Sequence, residues 1–249
     1  IHASGVELDG ETTLFPAWRG AGKTNTLLSL LRAGGNFLAD DRLWAGGSGG
    51  ARGYPLGVNL QPYNVDSFSE IELEYDSPVD RAKAEISQYI KEALASGPSL
   101  PEKAVRILTS RLLESTRRSF TDVDSLFPDA EYVATADIDH IVVLQATPNA
   151  ETVSIEPTPP EAVLSNLRAI NYYEWNERLQ EYFTAYDSLV PGDSMVTRLH
   201  DVIDREEEIL LELLRDKNTY VAEIPRKRDW HESGTDMEIV EAVQPLGGP

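Results

Sequence analysis

Cysteine is absent from the 249 residues, which excludes disulfide scaffolds, cysteine zinc sites and cysteine nucleophiles. Lysine is scarce: of 22 basic side chains 6 are Lys and 16 Arg, against 42 acids, for a net charge of -20. Such a charge opposes non-specific binding to nucleic acid or anionic lipid. No apolar run approaches the roughly 18 residues of a membrane helix, so neither nucleic acid nor membrane is expected as a partner. The acids are spread along the chain rather than gathered in one tail. That spread suits a surface kept hydrated at high salt, where screening quenches self-repulsion, and equally an ordinary acidic cytosolic protein. A cytoplasmic location is expected. The chain opens on Ile1 rather than Met, so targeting is not read from it.

With 41% hydrophobic residues the chain can fill one large domain or two small ones. Residues 1–16 read as two short strands joined by Asp9-Gly10, a type I′ hairpin signal. A helix is predicted over Thr24 to Arg32 on the stripe Leu27, Leu28, Leu30 and Leu31, with Gly34 as its stop. A short buried strand, Phe37 to Ala39, then ends in Asp40-Asp41. Arg42 to Ala45 extends towards GGSGGARG, read as a hairpin tip. Residues of about 77–118 read as a helical insertion, opened by Ser77-Pro78 and by the capping box Ser99 to Glu102. Strands are predicted at Glu131 to Ala134 and, centrally, Ile141 to Gln145. Thr158 and Glu161 suggest a capping box with Pro159 at the first helical position. Helices follow over about 159–170, 177–188 and 194–214, the last with the stripe Leu199, Val202, Ile203, Leu210 and Leu213. Tyr172, Tyr173 and Trp175 read as core aromatics at a helix end. Tyr220 to Ile224 is a final strand, and 225–249 is expected as a loosely ordered tail. The interleaving implies an α/β fold on a mixed β-sheet, with residues 1–224 as one domain and a helical C-terminal part.

The segment Ala17-Trp18-Arg19-Gly20-Ala21-Gly22-Lys23-Thr24 fits GxxxxGK[ST] except that alanine replaces the leading glycine. Gly20 and Gly22 let main-chain N–H groups curl around phosphate oxygens, Lys23 neutralises the outer phosphates, and the Thr24 hydroxyl can ligate magnesium. The following helix aims its positive end at the same point. Nucleotide contacts are therefore expected from Arg19, Gly20, Ala21, Gly22, Lys23, Thr24 and Asn25. The methyl of Ala17 costs about 1 kcal/mol if the loop needs positive φ there. Trp18 and Arg19 are bulky and are expected to project outwards.

Asp40 and Asp41 stand 17 and 18 residues after Lys23, at the carboxyl end of the next strand, where open α/β sheets bind ligands. On an extended segment they point to opposite sides and so differ in role. One suits magnesium; the other suits a general base that takes a proton from an attacking hydroxyl. His2, ahead of the loop, is placed to reach the same phosphates. His140, His200 and His231 show no metal-ligand spacing.

His2, Gly20 through Thr24, and Ala39-Asp40-Asp41 together resemble the catalytic core of HPr kinase/phosphorylase and its HPr-kinase-like relatives. The resemblance is weaker in GYPLGVNLQPYN, in LFPDAEY and around SIEPTPPEAV. It implies the mixed-sheet fold shared with phosphoenolpyruvate carboxykinase. It also implies phosphate binding by Lys23, magnesium binding by Thr24 and Asp40, Asp41 as general base, and His2 assisting at the phosphates.

The expected function is an ATP- and Mg²⁺-dependent kinase that moves the γ-phosphoryl group to a hydroxyl on a protein, peptide or small molecule. The alternative is a nucleotide-binding module or ATPase without phosphotransfer. Homo-oligomerisation is left open.

Overall fold

The computed structural model describes residues 1–60, 64, 67–68, 71, 119–174, 177–190, 192, 194–226 and 229–247. The helical insertion expected near 77–118 lies outside them. Asp9 and Gly10 take φ of 54° and 83°, the left-handed pair a type I′ turn requires. They join β1 (Ala3–Leu8) to an antiparallel β2 (Glu11–Pro16), with Ala3 opposite Pro16. Helix α1 (Lys23–Arg32) stops where predicted: Gly34 takes φ 98°, and the N–H groups of Gly34 and Gly35 reach the carbonyls of Leu31 and Leu30 in a Schellman arrangement. β3 (Asn36–Ala39) then returns antiparallel to β1.

β4 (Leu43–Ala45) pairs with β5 (Gly50–Gly53), so half of the glycine-rich segment expected as a hairpin tip is its return strand. β6 (Val58–Leu60) pairs with β7 (Ser119–Thr121), which precedes the short α2 (Val123–Leu126). The strand expected at Glu131 to Ala134 is displaced to β8 (Thr135–Asp137), which pairs with β5. Residues 131–133 instead flank the β3 edge: Phe37 N–H donates to Glu131 O at 2.8 Å and Val133 N–H to Phe37 O at 2.8 Å.

β9 (His140–Thr147) and β10 (Ser154–Pro157) lead into α3 (Pro160–Glu174). The Thr158 hydroxyl turns back to donate to Glu156 O, which moves the helix start to Pro160 and replaces the expected capping box. α4 (Glu177–Leu189) and α5 (Met195–Leu214) follow, then β11 (Asn218–Pro225). Of the stripe expected on α5, Leu199, Leu210 and Leu213 are buried, whereas Val202 is exposed.

The described residues of the expected tail are ordered. It forms α6 (Trp230–Ser233), α7 (Thr235–Val243) and a 3₁₀ turn, Gln244–Gly247. Trp230, Ile239 and Val243 bury into the core, and each such side chain contributes roughly 1.5–3 kcal/mol on leaving water.

The described residues thus carry seven α-helices and a six-stranded mixed sheet of order β10-β11-β9-β2-β1-β3. β9 runs parallel to both neighbours, and the remaining pairs are antiparallel. Period-two alternation divides the core between two faces. Val142 and Leu144 join Phe15, Phe37, Leu27, Leu28 and Ile239 on one side. Ile141 and Val143 join Leu14, Leu38, Val163, Leu167, Leu210 and Leu213 on the other. The sheet is therefore sandwiched, with α1 and α7 on one face and α3 and α5 on the other. No helix among the described residues is long and apolar enough to cross a membrane.

Candidate active site

Strand register brings the candidate residues together. β1 enters the sheet at the end where β2 and β3 leave it, with Ala3 opposite Pro16 and Gly5 opposite Ala39. His2, Ala17 and Asp40 therefore emerge side by side. Ala17 still bridges Leu144 in a parallel sense. The only non-glycine residues with positive φ among those described are Asp9 and Asp41, so the loop does not require positive φ at Ala17 and its methyl carries no such cost.

Positive φ falls instead on Gly20 (80°) and Gly22 (101°). At Gly22 a side chain is excluded twice: by this φ, and because a Cβ would lie 2.6 Å from Cζ2 of the buried Trp230. Gly22 caps α1 without a side-chain hydrogen bond, and the first turn holds no acidic residue. The leading N–H groups of the helix have no partner within it, so its positive end is offered to an anion.

Lys23 turns back to the strand ends. Its Nζ lies 2.7 Å from His2 Nε2 and donates to Ala17 O at 3.1 Å. An ammonium only donates, so Nε2 accepts and the ring hydrogen is assigned to Nδ1. That Nδ1 lies 3.4 Å from Asp41 Oδ1, His2 being 8% and Asp41 32% exposed. His2 is thus bonded to Lys23 and stands within ion-pairing distance of Asp41, with no hydrogen bond between Nδ1 and that carboxylate.

Asp40 faces inwards. Its carboxylate accepts from Thr24 Oγ1 at 3.3 and 3.4 Å and from Asn59 N–H at 3.0 Å. Burial pushes its pKa up to about 6, and the charge of Asp41 pushes the same way. The bonds from Asn59 and Thr24 and the charge of Lys23 oppose the rise. Asp41 takes φ 71°, and Arg42 N–H donates to Asp40 O at 2.9 Å across it. This three-residue γ-turn is strained, and such strain persists only where surrounding structure enforces it. The two carboxylates are separated by a tight turn rather than by the alternation of an extended strand. Their environments differ as expected: Asp40 meets the helix start and Asp41 the imidazole.

Other expected residues are placed differently. The Asn25 side chain is buried, with Oδ1 accepting from Asn64 at 2.6 Å and Nδ2 donating to Ser67 Oγ at 3.4 Å, so only its main chain faces the helix end. Ala21 N–H is bound to Trp18 O at 3.1 Å, inside the loop. Arg19 is exposed beside Trp18, as expected. Tyr172 and Tyr173 are exposed rather than core residues. Trp175 lies outside the described residues.

Sequence reasoning missed the main-chain amide of Asn59 and the support from Trp230, whose N–H donates to the same Ser67 Oγ at 3.2 Å. A signal for Trp230 was present. Asp229 and Glu232 have N-cap spacing, and Asp229 Oδ1 does accept from Glu232 N–H.

Among the described residues no group of three or more His, Cys, Asp and Glu forms a ready-made metal cage. The Thr24–Asp40 pair still suits magnesium: it offers hard oxygens, and magnesium typically takes one or two protein ligands and completes its shell with phosphate and water. A buried carboxylate whose charge is disfavoured is also one that a cation would relieve. An open groove of about 840 Å³, lined by Trp44, Arg52, Thr135 and Asp137 on the small sheet, includes none of these residues. A scan against protein-family models and a search of curated proteins return no match to this chain.

Proposed function

We propose that the chain is an ATP- and Mg²⁺-dependent phosphotransferase acting on a hydroxyl acceptor, built on a phosphate-binding loop and related in fold to the HPr-kinase-like enzymes. One observation carries this reading: His2, Lys23, Thr24, Asp40 and Asp41 converge through direct contacts at the uncapped start of α1. The two carboxylates there have different surroundings, as a metal ligand and a base require.

In this reading the amides at the start of α1 and the Lys23 ammonium bind the triphosphate, and Thr24 and Asp40 hold magnesium. When bound, the ion neutralises charge on the phosphate oxygens. Asp41 accepts the acceptor's hydroxyl proton as that oxygen bonds to the γ-phosphorus. The bond from the γ-phosphorus to the β,γ-bridging oxygen breaks and ADP leaves. His2, hydrogen-bonded to Lys23 and within ion-pairing distance of Asp41, stands between the base and the phosphate cation.

The test is phosphotransfer from labelled ATP to mixtures of hydroxyl acceptors. Asp41→Asn is expected to keep ADP binding and to lose transfer by about 10²–10⁴-fold, whereas Lys23→Ala weakens both. Unchanged transfer in Asp41→Asn refutes the base assignment. A second reading, a nucleotide-binding module or ATPase without phosphotransfer, draws on the hold that Ala17 O and His2 keep on Lys23. Label released only as free phosphate would select it.

A further inference from the structure

Two aromatic rings stand at the lip of the loop and nothing in the proposed nucleotide chemistry uses them. Trp18 belongs to the loop itself and is 40% exposed, and Tyr173 near the end of α3 is 63% exposed. Their centroids are 5.3 Å apart with planes at 65°, an edge-to-face pair. Tyr172, the preceding residue of α3, is exposed as well.

Their place decides what they face. A phosphate loop reaches the β- and γ-phosphates through its lysine, and here Lys23 Nζ is bound to the carbonyl of Ala17. Trp18 is the next residue. The ring pair is thus carried one residue from the carbonyl that holds the Lys23 ammonium, on the phosphate-binding segment itself. Arg19, the next residue in the loop, is exposed and carries a cation.

We infer that Trp18 and Tyr173 form an acceptor subsite for a planar, aromatic group carried on the same molecule as the reacting hydroxyl. An edge-to-face pair leaves ring surface open to stack a third ring, and Arg19 favours an acceptor that also bears an anionic group. This inference rests on the phosphotransfer reading and narrows it from hydroxyl compounds in general to ring-bearing ones.

Calorimetry on the full chain tests it, with Mg²⁺ and ADP present and N-acetyltyrosinamide or N-acetylserinamide as the probe. The tyrosine amide is expected to bind about tenfold more tightly than the serine amide. Trp18→Ala in the loop and, independently, Tyr173→Ala on α3 are expected to erase that preference. Equal binding of both amides, or a preference that survives both substitutions, overturns the subsite. A greater loss of ADP affinity than of tyrosine-amide affinity in Trp18→Ala assigns the rings to the nucleobase and overturns the acceptor role. Absence of ADP binding in the unaltered chain overturns the phosphotransfer reading itself, and is separately visible in the first titration.

Discussion

Replacing Asp40 by Asn should make the protein more stable at neutral pH and, on the proposed function, weaken binding of Mg²⁺ and nucleotide. The carboxyl titrates near 3.8 in an unfolded chain and near 6 here, chiefly because burial disfavours the charged form. Once ionised in both states, that difference costs the folded state about 3 kcal/mol. Asparagine keeps an oxygen to accept from Asn59 N–H and Thr24 Oγ1, as the neutral carboxyl does, and the stronger bonds of the charged form are already contained in the raised pKa. The net expected gain is about 3 kcal/mol at pH 7.5, or about 6–12 °C in Tm for a chain of this size.

The pH dependence follows from a raised carboxyl pKa. Below about pH 4 the group is protonated in both states and the variant gains nothing. Between pH 4 and 6 the folded protein binds more protons than the unfolded chain, so the unaltered protein loses stability as pH rises and the advantage of Asn grows. Urea unfolding of both proteins from pH 4 to 8 measures the difference, and the other acids cancel because they are common to both. A difference near zero at pH 7.5, or one that stays constant down to pH 4, refutes the reasoning. A destabilised variant would show that Asp40 is retained for folding and not for a ligand.

Two further outcomes are expected. Trp230→Ala removes a buried ring that rests on Gly22 and should cost about 3–5 kcal/mol in urea unfolding. Calorimetry on the folded fraction should also show weaker ADP binding, with Trp230→Phe largely restoring it; undiminished ADP affinity in Trp230→Ala would mean that the ring does not support the loop. At Asp41, φ 71° penalises any Cβ, so Asp41→Gly should be more stable than Asp41→Ala by about 1 kcal/mol, and equal unfolding midpoints would argue against an enforced γ-turn.

Much of the fold was legible because local chemistry and tertiary structure agree. Asp9-Gly10 is a turn dipeptide and turns; Gly34 follows an apolar stripe and ends the helix. The central strand was readable from an unbroken apolar run whose alternate members face two different layers. The strand near residue 131 was not, because a segment with only Tyr132 bridging the β3 edge through Phe37 lacks the pairing that makes a strand regular. The site was legible as residue types but not as contacts. Sequence order placed Asp40 and Asp41 at a strand end, yet the γ-turn that separates them depends on Arg42 N–H reaching Asp40 O, which no propensity announces.

The segment read as a loose tail shows most clearly why pattern reading stopped short. Its charges and terminal proline suggested exposure, but Thr235, Ile239 and Val243 recur at a helical spacing and all are buried. Together with Trp230 they hold α1 at both ends. Trp230 packs on Gly22 at the start, while Arg32 in the last turn pairs with the buried Asp236 at 3.1 Å and covers Phe68. Asp236 also contacts His231 at 3.2 Å, so the carboxylate that anchors the helix end is itself held from its own segment. A helix whose positive end must stay aimed at one point gains from restraint at both termini, since tilting it would break the contact at Gly22 or the ion pair at Arg32. Residues more than 200 positions away in sequence thus set the aim of the loop.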